Sequence, residues 1–227
     1  MNVLVIGAHP DDECIGVGGT IAKHIEKGDS VFIVLFSAGL FKSKLKTQAN
    51  DMLNIFGINK KNLFWLNCES GNFSKEDHLK INSKLAQIIS KIKPKVVYTH
   101  YYGDTHQDHP FVFQSTMVAC RPNHIPRGTK SKFVWTGVEK ILCYEIQSST
   151  NWSGRLDTPF DPTEYNIISE KNLQTKLNAY ACYKDEVRPD RHPRSLDSLV
   201  ILAKFRGNSV GHNFAEAFMV VRHIRHD

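Results

Sequence analysis

The chain has 227 residues, 41% hydrophobic and 23% charged, a balance that excludes a disordered or collagen-like polymer and that lets a chain of this length bury about 70–75% of its unfolded surface. Its formal charge of +6 is far from the basic excess of a nucleic-acid tail, and no window reaches the about 18 apolar residues of a membrane span. The cysteines (Cys14, Cys68, Cys120, Cys143, Cys182) are odd in number, scattered and without a C-x-x-C pair, which argues against a disulfide framework and predicts a reducing, cytoplasmic setting. The opening apolar run Val3–Ala8 lacks the basic flank and length of a secretion signal.

Residues 3–7 are continuously apolar and β-branched, the pattern of a strand buried on both faces. A polar turn, His9 to Glu13, leads to a glycine-rich stretch, Gly16 to Gly19, and a helix expected over 20–27, which Gly28 stops. A second buried strand covers 31–36, a helix 44–56, and a third strand 62–66. An amphipathic helix over 76–92 carries Leu79, Ile81, Leu85, Ile88 and Ile89 on one side, a fourth strand follows Pro94 over 95–99, and a helix over 109–120 has Pro110 in its first turn. Residues 121–135, rich in Pro, Gly and basic side chains, read as a loop. The remainder is less regular, with strands expected at 141–147, 165–168 and 214–221 and helices at 170–184 and 195–205. Regular alternation of strand and helix in the first half predicts an α/β three-layer Rossmann-like sandwich, its central sheet mostly parallel, with an irregular second half. No repeat or linker divides it, so residues 1–227 are expected to form a single catalytic domain.

In open α/β sheets the site lies beyond the carboxyl ends of the strands, where strand order switches. Two polar clusters fall there: His9-Pro-Asp-Asp-Glu13 after the first strand and His106-Gln-Asp-His109 after the fourth. If those strands are neighbours, the clusters face each other. Imidazole and carboxylate donors suit zinc, which in catalytic sites takes three protein ligands and leaves a position for water; iron(II) or another divalent ion suits the same donors. One such set is His9, Asp12 and His109. It leaves Asp11 beside the metal to accept a proton from bound water, and His106 opposite as proton donor or charge stabiliser. Asp108 either orients a neighbouring histidine or adds charge at a helix start. Isolated histidines (His24, His78, His124, His223, His226) read as surface residues, and His100, His192 and His212 are undecided.

These residues resemble a known family. Val3 to Thr20, with Gly7-Ala-His-Pro-Asp-Asp-Glu13 and Gly16-x-Gly-Gly-Thr20, closely resembles the opening of the PIG-L/LmbE-like zinc-dependent N-deacetylases. Gly103-Asp-Thr-His-Gln-Asp-His-Pro110 resembles their second motif. The stretch Lys176 to Arg222 is similar through Ala179-Tyr-x-x-Tyr-Lys184, His192-Pro-Arg-Ser195, Arg206-Gly207 and Ala215-Glu-Ala-Phe218. The resemblance implies zinc held by His9, Asp12 and His109, Asp11 as general base and His106 assisting the leaving group or the oxyanion. It also implies hydrolysis of the acetamido group of an N-acetylated amino sugar, often within a larger conjugate, with release of acetate. A non-sugar or antibiotic-type amide is the alternative substrate.

Many relatives carry an Arg and a Glu in the helix after the second strand, where this chain offers Lys46 and Gln48; Lys46 and Arg194 are the substrate-contact candidates. Arg194, with Arg188 and Arg191, suits a phosphate of a nucleotide- or lipid-linked sugar. Residues 121–168 match nothing in the family pattern and are expected to include specificity loops. A homo-oligomer is compatible with the sequence, and neither nucleic acid nor membrane is an expected partner. A receiver domain also has paired acids after its first strand, but it needs an Asp after the third, where this chain has Asn67-Cys-Glu-Ser-Gly71. A dinucleotide-binding turn needs G-x-G-x-x-G, which His9 breaks. A non-catalytic sugar-binding relative would not need the complete ligand set with Asp11.

Overall fold

In a computed structural model of the protein, residues 1–39, 42–122, 137–154 and 159–225 are described. The first strand, β1 (Asn2–Gly7), shows why a continuous apolar run marks a central position. Val3 and Val5 enter one hydrophobic cluster and Leu4 and Ile6 the other, all fully buried. β1 pairs in parallel with β2 (Ser30–Ser37) on one side and β4 (Val96–His100) on the other. β3 (Leu63–Cys68) extends the sheet beyond β2, and β5 (Lys140–Tyr144) extends it beyond β4, both in parallel. β7 (Ala215–His223) then runs antiparallel to β5, and β6 (Glu164–Ile167) antiparallel to β7. The order is β3-β2-β1-β4-β5-β7-β6, so strand order switches between β1 and β4.

Helices cover both faces. With Val3 and Val5 pack α1 (Asp12–Glu26), α2 (Lys42–Phe56), α5 (Glu170–Tyr180) and α6 (Leu196–Asn208). With Leu4 and Ile6 pack α3 (His78–Ile92) and α4 (Asp108–Ala119). The three-layer α/β expectation holds, with a mostly parallel sheet. Among the described residues of the second half, β7 finds partners on both edges.

Most element boundaries agree to within a few residues, but α1 is a correction. It begins at Asp12, eight residues before the expected start at Thr20, and runs through the glycine stretch. Glycine is a poor helix former, yet here packing decides. A Cβ on Gly16 would lie 2.3 Å from the Tyr144 ring, and one on Gly19 2.6 Å from Ile168. Tyr144 is itself buried, its hydroxyl donating to the Ile6 carbonyl at 2.7 Å. Bare backbone is what lets α1 lie so close. Midway along α1 the N–H groups of Gly19 and Thr20 donate to the Glu216 carboxylate at 2.9 and 2.7 Å, and Lys176 Nζ joins it at 2.6 Å.

His24 is also not the surface residue expected. It is half-buried, with Asp29 at 2.7 Å and the Tyr98 hydroxyl at 3.0 Å. His78, His192, His212 and His223 are exposed and His100 is fully buried. All but the first two residues of the expected loop 121–135, His124 included, lie outside the described residues, as does His226. Among the described residues no helix is long and apolar enough to cross a membrane.

Replacing Gly16 by Ala drives a methyl into the Tyr144 ring. Urea unfolding is expected to show a loss of about 1–3 kcal/mol, the usual cost of overpacking; an unchanged midpoint would mean that α1 has room to move.

Candidate functional site

Because β1 and β4 are adjacent and parallel, their carboxyl ends open on one side of the sheet, and the two polar clusters meet there. The chain leaves β1 at Gly7, presents His9, and turns into α1 at Asp12. The turn is paid for at Asp11, whose φ of 119° is rare for a residue with a side chain. Asp11 occupies the N-cap position of α1 but makes no side-chain capping bond, so its carboxylate is free for another task. Its backbone N–H donates to Glu13 Oε2 at 3.2 Å, and Tyr183 donates to Glu13 Oε1 at 2.6 Å. Burial pushes the Glu13 carboxyl up to about 7.

A cleft of about 290 Å³ opens over this junction. His9, Asp11, Asp12, His106, His109 and Arg194 all line it, from five separate stretches of chain if the later walls at Ile146–Ser149 and Glu186 are included. Asp12 is the hub. Its Oδ2 accepts the His9 N–H at 2.8 Å and lies 3.6 Å from His9 Nδ1 and 3.1 Å from His100 Nε2, while Oδ1 lies 3.7 Å from His109 Nε2. Burial alone would raise this carboxyl, but the neighbouring imidazoles of His100, His109 and His9 hold it well below the usual carboxylate range. His9 is tied on its other side, Nε2 lying 2.9 Å from Asp108 Oδ2. Burial would lower His9, yet the bonds and charges of Asp108 and Asp12 raise it to about 9. Asp108 also accepts the N–H groups of Gly71 at 2.7 Å and Phe73 at 3.4 Å. It stands behind the cleft, fully buried, rather than as a bare helix-start charge.

His106 stacks on His109 with centroids 4.6 Å apart. Burial and the neighbouring His109 and His9 lower its pKa. The Asp108 N–H donates to its Nδ1 at 3.2 Å, which leaves the ring proton of neutral His106 on Nε2. Arg194 pairs with Asp11 and, at 3.2 Å, with Glu186. Lys46 sets its ammonium 5.4 Å above the Trp65 ring and does not line the cleft. Gln48 is buried with its Oε1 unpartnered. Arg188 and Arg191 are exposed and likewise outside the cleft lining.

Two groups of donor atoms lie within 4.8 Å of one another, His9/His106/His109 and Asp12/His100/His109. The expected trio of His9, Asp12 and His109 spans both. A tetrahedral ion with bonds of about 2.0–2.1 Å keeps its donors about 3.3–3.4 Å apart; Asp12 comes near that spacing through two different oxygens, Oδ2 at 3.6 Å from His9 Nδ1 and Oδ1 at 3.7 Å from His109 Nε2. The Nδ1 atom of His100 is buried without a hydrogen-bond partner, and that of His109 faces Asp104 Oδ1 at 3.2 Å without a well-aligned hydrogen bond. His100 Nε2, however, accepts the Ala8 N–H at 2.9 Å, which occupies its lone pair. Sequence reasoning left His100 undecided and gave Asp104, Glu13, Tyr183 and Glu186 no role. Asp104 was legible as a further acid inside the second cluster; the others depend on contacts 170 residues apart or between loops.

The PIG-L family model, described as GlcNAc-PI de-N-acetylase, matches residues 4–120. The deacetylase YaiS of Escherichia coli K12 is 27% identical over 194 residues, 80% of this chain and 90% of its own. The fold is shared with N,N'-diacetylchitobiose deacetylase from Pyrococcus horikoshii, with a TM-score of 0.79 at 20% identity over 97% of this chain and 83% of that one. It is shared equally with GalB of Pseudomonas putida KT2440, a 4-carboxy-2-hydroxymuconate hydratase, with a TM-score of 0.78 at 18% identity over 100% and 98%. The hydratase means that the fold by itself does not name a reaction. The family match does not share that weakness: it takes in more than half of the chain, including both polar clusters, and this chain belongs to the PIG-L family of deacetylases.

Proposed function

We propose that residues 1–227 act as one catalytic domain, a metal-dependent N-deacetylase that hydrolyses the acetamido group of an N-acetylated amino sugar or sugar conjugate and releases acetate. The observation that carries this reading is the junction of β1 and β4: Asp12 lies within 3.7 Å of both His9 and His109, while Asp11 lines the same cleft without capping its helix. His9, Asp12 and His109 are the ligand set. His100 is the weaker alternative, because the Ala8 N–H already uses its nearer nitrogen. A divalent ion held there, zinc first and iron(II) second, supplies Lewis-acid polarisation of the amide carbonyl and a water of lowered pKa.

Asp11 is the general base and takes a proton from the attacking water. The His106 Nε2–H donates to the carbonyl oxygen as it gains charge. An amide anion is too basic to leave, so the nitrogen must be protonated as the C–N bond breaks; Asp11 returns the proton it took, and acetate and free amine result. Asp108 orients His9 through its 2.9 Å contact. Arg194 pairs with Asp11 and meets the polar part of the substrate, which suits a nucleotide- or lipid-linked sugar.

Three measurements test this. Asp11→Asn is expected to keep its metal content and lose turnover by about a hundredfold or more, read as acetate released from a panel of N-acetylated sugars, nucleotide sugars and conjugates; undiminished turnover removes Asp11 from the mechanism. His109→Ala is expected to abolish metal retention by elemental analysis, and full occupancy in that variant would refute the ligand set. Stripping the metal with a chelator is expected to stop acetate release and re-addition of zinc or iron(II) to restore it; activity that survives stripping ends the metal-dependent reading.

A further inference from the structure

The segment that follows β5 forms one wall of the cleft through Ile146, Ser148 and Ser149. It is folded back on itself: the Ile146 N–H donates to Thr150 Oγ1 at 2.8 Å, and the Ser148 N–H to Asn151 Oδ1 at 3.0 Å. The Thr150 hydroxyl, with its lone pair so used, gives its single proton to Asp104 Oδ2 at 2.5 Å, and the Ser149 hydroxyl gives a second at 3.1 Å. Asp104 Oδ1 accepts the His106 N–H at 2.8 Å and lies 3.2 Å from His109 Nδ1. The Asp104 side chain is wholly screened from solvent, and among the described residues His109 is its only ion-pair partner. A buried carboxylate is stable only when its oxygens are satisfied, so the two hydroxyls and the imidazole are held to it as firmly as it is to them.

We infer that Asp104 is a positioning residue that fixes the His109 ring, and that Thr150 and Ser149 make the cleft wall part of that support. The inference rests on the metal-site reading above, in which His109 is a ligand. It makes residues 146–150 more than a shape that admits substrate, because a change in that wall reaches the metal centre through one carboxylate.

The test uses the full chain loaded with cobalt(II), read by its visible absorption bands and by cobalt retention against a chelator, with the thermal midpoint of the metal-free protein as a check on folding. Thr150→Val keeps the shape and removes the proton; it is expected to shift the bands and weaken retention about tenfold, as loss of support behind a ligand does. Thr150→Ser is expected to behave as wild type. Should Thr150→Val fail to fold, Asp104→Asn and Ser149→Ala carry the same comparison. Folded Thr150→Val with wild-type bands and retention overturns the inference alone, as does an equal loss in Thr150→Ser. Wild-type protein that retains no cobalt overturns the metal-site reading and this inference with it.

Discussion

A carboxylate removed from water must be repaid by its neighbours, and the Asp12 side chain is almost wholly removed from water. The His9 backbone N–H donates to it at 2.8 Å, and three imidazoles, from His9, His100 and His109, surround it at 3.1 to 3.7 Å. Each is delivered by a different feature: the exit from β1, the last residue of β4, and the first turn of α4. The outer contacts then follow in order. Asp108 holds His9 from behind, Asp104 stands by His109, and Glu13 receives the N–H of Asp11 and keeps that residue in its strained turn.

The first half of the fold was legible because its signals are local. Continuous apolar runs named the buried strands, and turn residues bounded the helices between them. The two polar clusters could be expected to meet because a parallel sheet with a switch in strand order brings strand ends together. What was not legible depends on distant partners. No helix propensity scale starts a helix four residues before a Gly-x-Gly-Gly stretch; α1 starts there because Tyr144 and Ile168 need the space that side chains would fill. Glu13 carries no role of its own in the sequence, because its bond with Tyr183 is a contact across 170 residues. The place of Lys46 in the helix after the second strand is legible in the sequence, but the stacking of its ammonium over the Trp65 indole is not.

The likeness to a hydratase as well as to a deacetylase sharpens what a fold can say. Both chemistries add water to a polarised carbon, and a crevice lined by histidines and carboxylates at the end of a parallel sheet suits either. Reaction class therefore rests on the residues within the family match, while several walls of the cleft come from the second half. Those walls, at Ile146, Ser148, Ser149 and Glu186, lie beyond residue 120, where the family match ends.

The ion pair of Lys176 with Glu216, seated on the N–H groups of Gly19 and Thr20, bears on how the chain is made. A ribosome delivers residues in order, and Glu216 emerges 196 positions after Thr20. β7, which carries Glu216, also fills the place between β5 and β6. Nascent chains that have not yet reached it therefore hold an unfinished sheet and an α1 without its anchor, so the turn at the head of that helix is among the first parts synthesised and the last to be locked.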